Sequence, residues 1–207
     1  MRFEGVILDV DGTLVDSNDA HAEAFAEALQ VPFERVRPLI GKGADKLIPE
    51  LIGRYDAAAA ERKKAIFRAR FLPRLRPFLK SRELLSKFKD LGLRLAVASS
   101  AGKDELDALL QVAGVREYLD AQADADDADR SKPDPDIVLA AASKLGLPPA
   151  RCLMIGDTPY DAEAAARAGV AFIGLRCGGW SERDLRPALA VFADPAALLC
   201  SDFTTSG

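Results

Sequence analysis

The chain has little of several things that would mark other kinds of protein. It carries one histidine, one tryptophan and three cysteines in 207 residues. No apolar run approaches the roughly 20 residues that a membrane-crossing helix requires, so no membrane partner is expected. Cys152, Cys177 and Cys200 are odd in number and lack metal-ligand spacing. They read as one core residue, Cys152, and two free thiols in a reducing compartment, without a disulfide. The formal charge is −4, and lysine and arginine are scattered without the interleaved aromatics on which bases stack. Nucleic acid is therefore not an expected partner. The opening residues lead straight into a core strand, with no basic leader and cleavable apolar segment, so a cytoplasmic location is expected. No repeat is visible, and the only biased stretch is the alanine run at 57–60, a helix start or turn. Hydrophobic residues at 49% and charged residues at 29% describe an ordinary globular chain able to bury a sizeable core.

What the chain does have is concentrated in residues 6–14, Val-Ile-Leu-Asp-Val-Asp-Gly-Thr-Leu. Residues 6–8 read as a strand covered on both faces, and Gly12 lets the chain leave its end in a tight turn. Asp9 and Asp11 then lie at the carboxyl end of a strand, where open α/β sheets bind ligands. A pair of solvated turn aspartates is the plainer alternative for this segment taken alone. Three later stretches adjoin predicted strands in the same way. They are Val97-Ala98-Ser99-Ser100, Ser131-Lys132-Pro133-Asp134-Pro135-Asp136 and Ile155-Gly156-Asp157-Thr158-Pro159-Tyr160-Asp161.

The periodicity predicts a strand over residues 3–10, then helical segments at about 20–29, 33–40, 44–52 and 56–75 with no strand between them. Asp16 and Ser17 read as a start signal for the first helix, and Pro32 as its stop. Strands at about 93–98, 118–122, 151–155 and 170–174 then alternate with helices at about 82–91, 102–113, 134–145 and 160–168. Such alternation builds a parallel sheet. The expected fold class is α/β: a doubly wound, Rossmann-like parallel-sheet core from residues 1–15 and 80–207, with an all-helical insertion at 16–79. The two crossings, near 14–18 and 76–81, would form a hinge. The basic residues from Arg62 to Arg76 fall on an amphipathic pattern and read as a solvated helix face. The acidic residues at 124–129 read as a solvated loop.

Taken in order, Asp9/Asp11, Ser99, Lys132 and Asp157/Asp161 resemble the four motifs of the haloacid dehalogenase-like hydrolase superfamily, in its helical-cap phosphatase and β-phosphoglucomutase-like branch. The resemblance spans nearly the whole chain. It implies that the helical insertion is a cap that opens and closes over the core site. Residues 16–25, with His21, look like the way into the cap, and Pro77-Phe78 like the way out. The family often has glycine near position 80, where this chain has Lys80.

Hydrolysis of a phosphate monoester needs a nucleophile, a metal and fixed positive charge, because an anion must approach an anion. Asp9 is the candidate nucleophile, forming an aspartyl phosphate. Asp11 is the candidate acid and base, which requires it protonated in the first step and so predicts a raised pKa. Asp9, the backbone carbonyl of Asp11 and Asp157 resemble the family's Mg²⁺ ligands, and hard oxygen donors suit that ion. Asp161, near the start of a helix, is placed to orient Lys132 or a metal-bound water. Ser99 resembles the phosphate-binding hydroxyl, with Ser100 as local rival or as a cap for the helix near Gly102. Lys132 supplies fixed charge to the phosphate, and the N–H groups of Val10 and Asp11 are placed to complete the cradle. His21 reads as a hinge or substrate contact and not as the acid or base. Lys42 and Lys46, in a glycine-flanked turn between helices, are candidates to contact the rest of the substrate, with a solvated turn as the alternative. Trp180 reads as packing first.

The expected activity is thus Mg²⁺-dependent hydrolysis of a small phosphorylated metabolite. A sugar-phosphate mutase is the nearest alternative. Mutases of this family tend to carry an acidic residue just before the one matching Asp157, where this chain has Gly156. Dehalogenases lack an aspartate at the position of Asp11. A non-catalytic phosphate-binding or signalling module is the alternative from another class.

Overall fold

The computed structural model describes residues 3–201. Six strands run through it: β1 (Gly5–Leu8), β2 (Arg94–Ala98), β3 (Ala121–Ala123), β4 (Cys152–Gly156), β5 (Ala171–Leu175) and β6 (Ala190–Phe192). All pair in parallel, in the order β3-β2-β1-β4-β5-β6. The order reverses at β1 and β4, and a doubly wound sheet opens its ligand crevice at that switch point. In register, Leu8 pairs with Val97 on one side and Ile155 on the other. The residues that follow these strands therefore emerge side by side.

Nine helices accompany the strands in the described residues: α1 (Asn18–Leu29), α2 (Phe33–Val36), α3 (Ala44–Ile52), α4 (Ala57–Ile66), α5 (Ser81–Asp90), α6 (Lys103–Ala113), α7 (Asp136–Lys144), α8 (Pro159–Ala168) and α9 (Pro195–Leu199). Strand side chains alternate between faces. On one face Val6, Leu8, Leu95, Val97, Leu153 and Ile155 pack with Leu84, Leu85 and Phe88 of α5 and Leu106, Leu109 and Leu110 of α6. On the other, Ile7, Ala96, Ala98, Cys152 and Met154 pack with α7 and the alanine face of α8. Burial on both faces explains why these strands read as continuous apolar runs.

Four helices, α1 to α4, intervene between β1 and α5, with short 3₁₀ turns and a five-residue π-helical stretch, Phe67–Phe71, continuing α4. They enclose a separate apolar cluster of Ala22, Phe25, Val36, Ile40, Leu47, Ile48, Leu51 and Ala60. The two chain crossings run side by side. Val15 bridges Pro77 in antiparallel fashion, Asp16 N–H donates to the Arg76 carbonyl at 3.0 Å, and Phe78 N–H donates to the Leu14 carbonyl at 2.9 Å.

Several local expectations are corrected. Residues 116–118 form a 3₁₀ turn, so β3 begins at Ala121, later than the predicted strand. The edge strand β6 and the helix α9 have no counterpart in the predicted pattern, since three and five residues are too few to display a period. Ser17 stands at the N-cap position of α1 but makes no side-chain cap bond, because its hydroxyl turns to Asp11. Ser100 does not cap α6, whose N-cap is Gly102. Trp180 packs partly buried against the second core face, edge-on to Tyr160.

Lys80, at the N-cap of α5, has φ 69° and ψ 12°. A side chain in the left-handed region crowds the following carbonyl, a cost that glycine does not bear. Lys80→Gly should raise the thermal midpoint of the protein by a few degrees, as measured by circular dichroism melting. A lowered midpoint would mean that the exposed Lys80 and Glu83 pair, 2.8 Å apart, outweighs the backbone strain.

Candidate active site

The residues after β1 turn within a single loop. Gly12, at φ 74°, donates its N–H to the Val15 carbonyl, and the Val10 carbonyl accepts from residues 13, 14 and 15. This tight turn holds Asp9 buried at the strand end, 7% exposed, while Asp11 turns toward Ser17 and His21 at the start of the helical segment. No hydrogen bond engages the N–H of Val10 or Asp11 among the described residues.

Lys132 crosses from the loop before α7 and is 1% exposed. Its ammonium lies 2.6 Å from Asp9 Oδ1 and 2.8 Å from Asp161 Oδ1, and donates to the Ala98 carbonyl at 2.8 Å. Ser99, also 1% exposed, follows that carbonyl directly, and its Oγ accepts from Ala101 N–H at 3.1 Å. Asp161 is fixed by a reciprocal capping box at the start of α8. Thr158 N–H and Oγ1 donate to Asp161 Oδ2 at 3.0 and 2.7 Å, and Asp161 N–H donates to Thr158 Oγ1 at 3.1 Å. Asp157, fully buried at the end of β4, accepts from Thr13 Oγ1 at 3.0 Å and from Asn18 Nδ2 at 2.7 Å.

Oxygens of Asp9, Asp157 and Asp161 lie within 4.8 Å of one another. Three buried carboxylates with one ammonium leave an excess of negative charge that a low-dielectric interior tolerates poorly. Burial pushes the Asp9 carboxyl up to about 7, with the charges of Asp161 and Asp11 adding to the rise and Lys132 opposing it. Burial, with the charges of Asp9 and Asp161 adding to it, raises Asp157 well above the usual carboxylate range, against the hydrogen bonds of Asn18 and Thr13. The donor set, hard oxygens with excess negative charge, fits a divalent cation such as Mg²⁺. Asp161 faces Lys132 through Oδ1 and the capping box through Oδ2, which places it to orient the lysine.

Asp11 departs from expectation. Burial would raise its pKa, but the charge and hydrogen bond of His21, the Ser17 hydroxyl and the charge of Lys63 outweigh it and hold the carboxyl at about 2. Its Oδ1 accepts from Ser17 Oγ at 2.5 Å and lies 2.8 Å from His21 Nε2. His21 stacks on Phe67 with ring centroids 4.0 Å apart, and its Nδ1 lies 4.0 Å from Glu105 Oε1. Glu105 in turn accepts from Lys63 Nζ at 2.9 and 3.2 Å.

Lys63 corrects the reading of the basic stretch as a wholly solvated face. It is 6% exposed and sits 5.1 and 4.8 Å from the ring centroids of Phe25 and Phe67. The signal was its helical spacing, since Ala60, Lys63 and Phe67 share one buried stripe. Thr13, Ser17, Asn18 and Glu105 were also missed, because each acts through a partner distant in sequence or on another element. Lys46 does not face the cleft: it donates to the Ser131 carbonyl at 2.7 Å and pairs with Asp134, while Gly43 N–H donates to Ser131 Oγ at 3.1 Å. Lys42 pairs with Glu50 and lies 5.0 Å from the Tyr160 ring centroid, at the wall of a cleft of about 840 Å³. The floor of this cleft holds Asp9, Asp11 and His21, and its walls include Phe25, Ile40, Phe67 and Leu72.

A doubly wound sheet with buried carboxylates and a buried lysine at its switch point, beneath an open cleft, defines an α/β enzyme. The chain belongs to the haloacid dehalogenase-like hydrolase family, whose sequence model matches residues 3–169. It is 36% identical over 186 residues to a protein named "Probable phosphatase IndB" from Dickeya dadantii, across 84% of this chain and 81% of that one. It is 31% identical over 189 residues to the N-acetylmuramic acid 6-phosphate phosphatase of Pseudomonas aeruginosa, across 86% of this chain and 84% of that one. The solved structure of a hydrolase from Pseudomonas syringae matches with a TM-score of 0.88 at 31% identity, covering 94% of this chain and 95% of that one. Among the described residues no helix is long and apolar enough to cross a membrane.

A carboxyl whose pKa is raised on folding lowers stability as pH climbs from its unfolded to its folded value. For Asp9 that window runs from the ordinary 3.8 to about 7. Without divalent cation, the contribution of this group should weaken stability between pH 4 and 7. A cation binds the ionised form, so 5 mM Mg²⁺ should raise the melting temperature more at pH 8 than at pH 5. Equal shifts at the two pH values would refute the coupling.

Proposed function

We propose that this protein is a Mg²⁺-dependent phosphatase that hydrolyses a small-molecule phosphate monoester through an aspartyl phosphate on Asp9. The observation that carries this reading is the contact of Asp9 with buried Lys132 at 2.6 Å beside Asp157 and Asp161. It combines a nucleophile, fixed positive charge and a hard-cation donor set at one strand end.

Asp9, the backbone carbonyl of Asp11 and Asp157 hold the Mg²⁺. When bound, the ion supplies positive charge that lets an anionic nucleophile approach an anionic phosphoryl group and offsets charge on the transferring oxygens. Lys132, Ser99 and the N–H groups of Val10 and Asp11 hold the phosphoryl oxygens. Asp9 forms its bond to phosphorus as the bond to the leaving oxygen breaks, and Asp11 gives that oxygen a proton. Asp11, now a carboxylate, takes a proton from the water whose oxygen attacks phosphorus, releasing phosphate and regenerating Asp9. To serve as the acid, Asp11 must leave the hydrogen bonds of Ser17 and His21, which hold it anionic. Turning it toward the leaving oxygen removes those bonds, lets burial raise its pKa and so couples protonation to the rearrangement.

Residues 16–79 form a lid on the two-stranded hinge at 14–16 and 76–78. Its contacts to the core through Gly43 and Lys46 meet the loop that carries Lys132, so closure of the lid and placement of the lysine support each other. The substrate is a small phosphorylated metabolite whose body lies against the apolar wall of Phe25, Ile40 and Phe67. A mutase reading is disfavoured by Gly156. A Cβ there would lie 2.7 Å from Cβ and Cγ of Asp161, leaving no room for an acidic side chain before Asp157.

Release of phosphate from a panel of phosphate monoesters, with Mg²⁺ or with EDTA, tests the reading. Metal-dependent turnover is expected. Asp9→Asn should abolish it, and Asp11→Asn should lower kcat by about 10²–10⁴-fold. Turnover unaffected by Asp9→Asn would overturn the assignment of the nucleophile.

A further inference from the structure

Asn18, the first residue of α1, has no place in the chemistry just described, yet it is 3% exposed and reaches the centre of the site. Its Nδ2 donates to Asp157 Oδ2 at 2.7 Å and to the Gly178 carbonyl at 3.1 Å. The other oxygen of Asp157 accepts from Thr13 Oγ1. With one donor on each oxygen, the carboxylate cannot rotate without breaking a buried hydrogen bond. The packing around this pair is built for it. A Cβ on Gly12 would overlap both the Asn18 amide and the Asp157 carboxylate, and a Cβ on Gly178 would overlap the same carboxylate. Two glycines on separate loops thus clear the space in which asparagine meets aspartate. The amide orientation follows from its partners, since turning it over would set Oδ1 against a carboxylate and a carbonyl. Asn18 Oδ1 is buried without a partner among the described residues, an open acceptor of the kind that a water on a hydrated cation satisfies.

We infer that Asn18 is a positioning residue that holds the Asp157 carboxylate for a divalent cation and ties it to the first helix of the 16–79 segment. The inference rests on the cation reading above. A residue that orients a metal-binding carboxylate changes affinity for the ion itself, typically by 10–100-fold when removed. A residue that merely attaches the helical segment to the core does not. Arg37 supplies that contrast. Its Nη2 donates to the same Gly178 carbonyl and its Nε pairs with Asp19 at 2.6 Å, but it does not touch Asp157.

Binding of Mn²⁺, a paramagnetic hard-oxygen probe, is titrated by electron paramagnetic resonance of the free ion. The titrations use wild-type protein, Asn18→Ala, Asn18→Leu and Arg37→Ala, with circular dichroism to verify folding. Asn18→Leu keeps the branched four-heavy-atom shape without the amide and carries the test if Asn18→Ala does not fold. We expect about 10–100-fold weaker Mn²⁺ binding on loss of the Asn18 amide, and no material change for Arg37→Ala. Wild-type affinity in the Asn18 variants, or an equal loss in Arg37→Ala, would overturn the assignment. Wild-type protein that binds no Mn²⁺ would overturn the cation reading itself, and this inference with it.

Discussion

The buried ammonium of Lys132 is the interaction on which the rest of the site depends. Removed from water, it is stable only because Asp9 and Asp161 face it at 2.6 and 2.8 Å and the Ala98 carbonyl accepts a further hydrogen bond from it. Burial works against the charged form, but the two carboxylates outweigh it and hold Lys132 well above the ordinary lysine range. Each partner comes from a different part of the sheet: Asp9 from the end of β1, Ala98 from β2, and Asp161 from the helix that follows β4. Parallel pairing of these strands brings their carboxyl ends to one edge, so the lysine is satisfied only in the assembled fold. The same contacts leave Asp157 and the charge on Asp9 without full compensation. That imbalance makes the centre suited to a divalent cation.

A second charged network lies over the first. Asp11, Ser17, His21, Glu105 and Lys63 link the strand-end loop to α1, α4 and α6, joining the helical segment to the sheet through partly buried polar contacts. It holds Asp11 anionic, opposite to what an acid needs. The two networks therefore treat neighbouring aspartates in opposite ways: burial among like charges raises Asp9, and partners from the helical segment lower Asp11. The lid movement proposed above would change the protonation of one aspartate while leaving the lysine contact of the other in place.

Glycine sets how closely these parts approach. Gly12, Gly156 and Gly178 each stand where a Cβ would collide with Asp157 or Asp161. Backbone can then pass against a carboxylate, and the aspartates sit in walls of main chain that exclude water. Lys80 is the counter-example, a residue with a side chain in a left-handed conformation at the hinge-side start of α5.

By itself the sequence determined most of the element types, the parallel sheet, the positions of Asp9, Asp11, Ser99, Asp157 and Asp161 at or just after strand ends or at a helix start, and that of Lys132 in the loop before α7. These are local properties: strands buried on both faces read as apolar runs, and turn and cap residues mark their ends within a few positions. Tertiary structure alone decided the partners. Lys63 within a basic run, Asn18 at a helix start and Glu105 on α6 look like ordinary surface residues in sequence, and only packing brings Asn18 to Asp157 and the Lys63–Glu105 pair to His21 beside Asp11. The lowered pKa of Asp11 in this arrangement is not legible in the sequence for the same reason. Its value depends on His21, Ser17 and Lys63 meeting in space, and electrostatic interactions follow distance and burial, which a linear pattern does not contain.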